Sequence, residues 1–531
     1  MTWFRFLLLA LLLAILPSAN RPARADMPPA PLVGRVAAID GRLEINFADG
    51  VPGSAAGGGV WADSQRNDPI AAGMALRTGA DGGALLRVGA DAIALAPATE
   101  IAIARLDAGG MRLVLRRGRI GIRLSPIAAP LTAEVVLPSG ALTLTASGQY
   151  DVSAGDDRTP SRVSVFDGEA RFAGKDGQLT VADGAAAALG GTVAGDGHAT
   201  ADDFDRWWRS FGGDSGEALR YVSAAMTGYD MLDANGAWQD VSGYGAVWFP
   251  KGVAADWAPY RFGHWRSIRP WGWTWIDDAN WGFAPSHFGR WARIAAPAAA
   301  GEPRPRWGWV PGERIADPLY MPAAVAFVGT AGVGLSCPNG SRPAIAWFPL
   351  APGAAYWPGY PADLAAIRRM NAGAVPNPDE IGPAPAAGGP PAGIANGHYR
   401  NRRFASVVPR SAFVAGRAVA SALLRLPEPR LENAPLLGGS PQIPPASANP
   451  PAVVAALPAK LTAKSASQRP ARTAKLHGPV HAARLPSARL DRLATMTRRA
   501  REWRRHIVSA ALSRHSAHHA SHRRVAAVHR R

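Results

Sequence analysis

Asp277 and Asp278, with His264 and His287 nearby, are the side chains whose types could bind a metal or move a proton. The two carboxylates are neighbours on a strand-like segment, WTWIDD, so they face opposite sides, and the histidines sit one repeat apart in equivalent turn regions. Nothing here has closed metal-ligand spacing, and neither a metal nor a cofactor is expected. Ser125, Ser139 and Ser161 lack the sharp strand-to-helix turn that presents a nucleophile, and no glycine-rich loop opens a helix as a phosphate site requires. Cys337 has no second cysteine to pair with and reads as an inert, partly buried thiol. The acid–base groups are therefore read as turn and surface residues, and the chain as non-enzymatic.

Aromatic binding chemistry is the other option, because tryptophan is concentrated between Trp238 and Trp309. Exposed Trp and Tyr faces stack on sugar rings, which makes Trp257, Tyr260, Trp265, Trp271 and Trp291, edged by Arg261 and Arg290, the candidate ligand surface. The competing reading makes the same rings the core of thin hairpins, since each buries about 150–250 Å² and keeps an N–H for a partner.

The elements that would position these rings are legible as a repeat. Trp257, Pro259, Phe262, Gly263 and Trp265 return as Phe283, Pro285, Phe288, Gly289 and Trp291, each 26 residues on. A Trp-apolar-Pro step at Trp248-Phe249-Pro250 returns at Trp309-Val310-Pro311 and Trp347-Phe348-Pro349. This spacing suits a strand, a turn and a second strand per repeat, with prolines at strand starts and edges and no helix across the region.

Upstream, residues 32–190 alternate apolar and polar positions between Gly and Asp turns, such as Ile39-Asp40-Gly41, Gly89-Ala90-Asp91 and Phe166-Asp167-Gly168. Strands recurring every eight to twelve residues predict an antiparallel β sandwich or roll. The period changes over 200–235, where Asp202 and Asp203 precede Phe204, Trp207, Trp208 and Phe211. A short helix is predicted there, as a linker packing on the Trp-rich module of 236–371.

Both ends differ in composition. MTWFRFLLLALLLAILPSANRPARAD carries Arg5, an apolar run from Phe6 to Leu16 and small residues at Ala23 and Ala25, the pattern of a secretory signal cleaved after Ala25. The whole chain carries +18, but 25 of its Lys/Arg and only 4 of its Asp/Glu lie from Asn396 onward, so the body is left with 33 basic and 36 acidic residues. The basicity belongs to the tail, and nucleic acid is not an expected partner. From 372 to 531 the chain turns to Pro, Ala, Gly and Ser, a composition expected to stay disordered, apart from a candidate amphipathic helix over 488–512. There Leu490, Leu493, Met496, Ala500, Trp503 and Ile507 follow helical spacing, and Arg498, Arg499, Arg501, Arg504 and Arg505 would contact a polyanion.

GRVAAIDG, DPIAAGMALRTGADGGALLRVGADAIALAPATEIAI, LRRGRIGIRL and VSVFDGEARF make 32–190 resemble the FecR domain. The resemblance implies a β-rich extracytoplasmic module, in regulators that pass a signal to an anti-sigma partner; a leading cytoplasmic segment and membrane span of that type are not seen here. YVSAAMTGYDMLDANGAWQDVSGYGAVWFP, DWAPYRFGHW, PWGWTWIDDANWGFAPSHFGRW and AWFPLAPG resemble the uncharacterised Trp-rich module found behind FecR-like domains in secreted bacterial proteins, with PADLAAIRRMNAG and SVVPRSAFVAGRAV fitting its C-terminal part. The expectation is a mainly β, secreted or periplasmic binding or scaffold protein of the cell envelope. Its expected partners are an envelope polysaccharide such as peptidoglycan, an anionic lipid, or another protein, with FecR-type signalling through a partner as the alternative.

Overall fold

The computed structural model describes residues 32–443 apart from 48–60, 128–131, 157, 176, 191–193, 213–214, 255, 296–304, 330–334, 337–342, 383–398 and 438. The leader up to Ala25, Cys337 and the basic segment 488–512, with Arg498, Arg499, Arg501, Arg504 and Arg505, lie outside the described residues.

The alternation in the first module produces two nine-stranded sheets. In Ala133–Leu137 every second residue is buried, and Ser161–Asp167 alternates in the same way, so each strand gives one face of Val, Leu or Ile to a shared interior. Each such side chain contributes about 1.5–3 kcal/mol by leaving water. The chain lays down a strand or hairpin in one sheet and then crosses to the other. Gly83–Val88 and Asp91–Leu95 pair in the first sheet, Glu100–Asp107 and Gly110–Arg117 pair in the second, and Arg119–Leu124 returns to the first. Only some of the turn signals therefore close hairpins. Gly89, at φ 54°, joins two paired strands, whereas Asp40-Gly41 and Asp167-Gly168 are corners between sheets. The turn chemistry is the same at both, so the local sequence does not tell them apart.

Helix Asp203–Arg209 begins as predicted, with Asp202 as N-cap in a capping box with Asp205. Its packing differs from the expectation. Phe204 and Trp208 rest on Leu85, Ala92, Ala94 and Ala96 of the first module rather than on the Trp-rich module. The bed is made by small residues: a Cβ on Gly121 would lie 2.3 Å from the Trp208 ring.

The Trp-rich repeat resolves into hairpins. Gly263–Ile268 pairs with Gly272–Asp277, and Arg290–Ala295 pairs with Pro305–Val310, so that Trp265 faces Trp275 and Trp291 faces Trp309. Each Trp-apolar-Pro step closes a strand with its Trp fully buried, as at Trp248, Trp309 and Trp347. Between the hairpins, however, Phe283–His287 is a single helical turn where no helix was expected. Pro285 is tolerated because the first-turn N–H groups have no intrahelical acceptor to lose.

The tail boundary also moves. Asp363 caps a helix over Leu364–Asn371, and beyond 372 the strand Ser406–Pro409 adds to Pro343–Pro349 while Leu436–Leu437 adds to Val325–Val328. Phe413 is buried against Trp265 and Trp273. Average composition hid these few apolar residues, and open sheet edges accept a short strand without needing a core of its own.

The two modules share one interior. Arg35, 1% exposed, makes two hydrogen bonds to Asp230 at 3.0 and 3.2 Å, and Arg87 lies 3.9 Å from the same carboxylate. Asn67, buried at φ 67°, donates to the carbonyls of Asp277 and Ala279 across the junction. Arg266 reaches Asp68 at 2.7 Å, and Thr227 accepts from the Gly89 N–H while donating to the Val33 carbonyl. Removing the Asp230 charge leaves two buried guanidiniums sharing no anion, so Asp230→Ala is expected to destabilise the protein by about 3–5 kcal/mol in chemical denaturation. A loss below about 1 kcal/mol, the value of an exposed pair, would show that the junction is solvated.

Candidate functional site

Five of the seven side chains expected to form a ligand surface are interior. Tyr260, Trp265, Trp271 and Arg290 are 1% exposed and Trp291 is 2% exposed, so their faces are not available for stacking. Trp291 lies between Trp257 and the helical turn that carries Pro285, whose carbonyl accepts its N–H at 2.9 Å. Arg290 donates to the carbonyls of Ala354 and Gly289 and to the Asn371 side chain at 2.7 Å, and burial pulls its pKa down to about 10. It is a buried cation solvated by oxygen dipoles. Arg261 is half-buried and points its guanidinium at Ser406 and the Phe404 carbonyl. Only Trp257 remains half-open on a surface hollow.

The acid–base candidates separate as well. Asp278 is exposed as expected of a turn residue, but Asp277 is buried, accepting from the Trp275 indole and the Ala279 N–H at 2.9 Å each. Burial outweighs those bonds and raises its pKa to about 7. His287 is buried too, its Nδ1 2.8 Å from the Met321 carbonyl and its ring between Phe283 and Tyr320. Burial lowers its pKa to about 3. These two groups serve the interior, and among the described residues no cluster of His, Cys, Asp and Glu could hold a metal.

His264 instead borders a hollow of about 390 Å³ at the junction of the modules, with its Nε2 2.6 Å from Gln65 Nε2. The charged groups there are already paired, Arg266 with Asp68 and Asp63 with Arg42.

A different site emerges on the hairpin Arg290–Ala295/Pro305–Val310. The register sets Arg293 opposite Trp307, and the Arg293 guanidinium lies 5.5 Å from the Trp307 ring and 5.2 Å from Phe404. Phe404, delivered by the C-terminal segment, makes an edge contact with Trp307 at 5.4 Å and has the Arg403 guanidinium over its ring at 4.9 Å. Two hollows meet at Arg293. The first, about 250 Å³, is bordered by Trp257, Phe249, Arg306 and Trp307; the second, about 160 Å³, by Tyr244, Arg400, Arg403 and Phe404. No acidic side chain among the described residues lines either one. Among the described residues none of Arg293, Arg306, Arg400 and Arg403 forms an ion pair, and the buried Nε of Arg293 has no hydrogen-bond partner. Burial, followed by repulsion from Arg403, lowers the Arg293 pKa. The arrangement can bind anionic groups at its centre and planar or ring faces at its two ends.

Sequence reasoning passed over these residues because it ranked aromatic density. Strand alternation places Trp291 and Arg293 on one face and the register adds Trp307 and Trp309 to it, a signal present in the sequence; the arrival of Arg400, Arg403 and Phe404 from more than ninety residues away has no local signal.

A family profile described as "Family of unknown function (DUF6600)" matches residues 229–354, the end of the linker and most of the Trp-rich module. No curated protein matches the chain. Two crystal structures of a proposed anti-sigma factor from Parabacteroides distasonis align at a TM-score of 0.22 each, with 10% and 11% identity, over 25% of this chain and 64% and 63% of theirs. Each alignment thus spans less than two thirds of that protein, and a score of this size leaves fold and activity open.

The buried histidine generates a test. A folded-state pKa below the unfolded value means that His287 contributes stability that is present above about pH 6.5 and lost as pH falls toward about 3. His287→Phe removes that dependence, so the stability gap between parent and variant in urea denaturation should narrow between pH 7 and pH 4, by up to about 1.4 kcal/mol per pH unit. A gap independent of pH would show that the histidine titrates normally.

Proposed function

We propose that this chain is a non-catalytic binding or scaffold protein of the bacterial envelope that holds an anionic envelope polymer on its arginine-rich face. The observation carrying this reading is the convergence of Arg293, Arg306, Arg400 and Arg403 around two hollows with no acidic lining and no ion pair among the described residues. Four like charges held together without counter-ions repel one another, and an incoming anion relieves that cost. The basic tail would add a second contact to the same polymer. The secreted or periplasmic location rests on the N-terminal pattern, and the FecR-type assignment of the first module rests on its quoted motifs; both belong to this proposal.

Two measurements test it. Full-length protein is titrated with poly-glutamate and with polygalacturonate beside an Arg293→Glu/Arg403→Glu variant. Reversal of two charges at the centre should weaken both interactions by about tenfold or more, corresponding to about 1.4 kcal/mol, and added salt should shrink the difference. Equal affinity of parent and variant for every polyanion would sink the reading and leave the tail as the sole basic contact. Separately, N-terminal sequencing of protein recovered from the cell envelope should begin at Asp26; recovery of the intact Met1 terminus from the cytosol would overturn the location.

A further inference from the structure

Polyanion contact alone does not use the aromatic half of the face. Trp257 and Tyr244 are each half-buried, so each keeps an edge or face open, and they border different hollows on either side of Arg293. Trp257 is backed by other rings, packing on Trp281 at 5.7 Å and Trp291 at 5.4 Å, and Trp307, which borders the same hollow, is 5% exposed. At the centre, the buried unpartnered Nε of Arg293 and the exposed guanidinium of Arg403 converge on Phe404. The order along the surface is thus ring, cation pair, ring. Each hollow has room for a single sugar ring, with volumes of about 250 and 160 Å³.

We infer that the face is a subsite for an acidic oligosaccharide. Adjacent sugar rings sit against Trp257 and Tyr244, and the carboxylate or phosphate between them is bound by Arg293 and Arg403. Arg306 borders the first hollow and Arg400 the second, and each would take a further acidic group of the polymer. This rests on the proposed polyanion function and adds to it a requirement for rings. A flexible polyanion without rings satisfies the guanidiniums only, and a neutral glycan satisfies the aromatics only, leaving the cations unpaired. The source of the acid, uronic carboxylate or phosphate ester, is left to the experiment, since a guanidinium fork accepts either.

The full chain is compared on four immobilised polymers: polygalacturonate, a phosphorylated mannan, poly-glutamate and uncharged dextran. The tail contributes the same background to parent and variants, so the reading is the change on substitution. Tyr244→Ala should weaken binding to polygalacturonate or to the phosphomannan several-fold while leaving poly-glutamate unchanged, and Arg400→Gln, at an exposed position, should weaken the acidic glycan that binds better. The glycan preferred by the parent identifies the acid. If Tyr244→Ala and Trp257→Leu leave all acidic polymers unaffected, or weaken poly-glutamate as much as the acidic glycans, the glycan inference is overturned while the polyanion reading stands. If the charge variants lose nothing, both fall. Near-ultraviolet circular dichroism of each variant establishes that the aromatic core is intact, and Tyr244→Ser replaces any variant that fails this check.

Discussion

Indole N–H groups donating to carbonyls of the connecting segments hold the Trp-rich module together. Trp248 donates to Leu232, Trp291 to Pro285, Trp309 to Phe288, Trp347 to Tyr260 and Trp273 to Ile443, and Trp275 donates to the Asp277 carboxylate. A buried donor left unpaired costs about 1–3 kcal/mol, so each bond sets both the ring and the loop that supplies its acceptor. Hairpins of five or six residues could not order their own connections by area alone. Five of these six N–H groups are spent on carbonyls outside the hairpin strands and so tie the connecting segments to the rings, while the buried indole N–H groups of Trp265 and Trp271 have no partner among the described residues.

The position of the arginine face follows from that framework. Arg290 and Arg293 lie on one strand, yet the first is solvated entirely by internal carbonyls and an amide while the second sits at the rim with an unpartnered Nε. The strand alternates between faces, and the indole layer ends where Trp257 leaves the core, so a residue three positions further along emerges at the surface. The segment around Phe404 is anchored in turn by Ser406–Pro409 on the five-stranded sheet and by Asn401, which donates to the carbonyls of Trp291 and Pro349 at 2.7 and 3.1 Å. Charge at the face is therefore held by interior hydrogen bonds and is not free to disperse.

The same logic joins the two modules. Arg35, Arg87 and Asp230 place charge in the junction, and Asn67 takes a left-handed backbone conformation while both of its amide hydrogens are used by the second module. A linker between independent domains would expose these groups to water. Here the helix Asp203–Arg209 lies flat on the first module, and the turns that follow carry the chain directly into the shared core.

Period-two alternation, turn residues and the 26-residue repeat determined the strands, the sheet class and the hairpins of the Trp-rich module, because those features depend on neighbours a few residues apart. The cap at Asp202 was legible for the same reason. Four outcomes were decided by tertiary structure. Corners and hairpins share one turn chemistry; Trp208 chose the bed made by Gly121; Phe413 and Ser406–Pro409 found an open sheet edge despite a Pro- and Ala-rich neighbourhood; and the candidate rings went inside. Exposure of an aromatic residue is a property of what packs over it, and four of the elements covering Trp265 lie between ten and 150 residues away, at Trp275, Phe327, Trp347 and Phe413. The sequence by itself determined that this chain would build an aromatic β core; only the tertiary structure decided which arginines that core would leave facing outward, because a hairpin and a segment about a hundred residues further along must meet before the charges are neighbours.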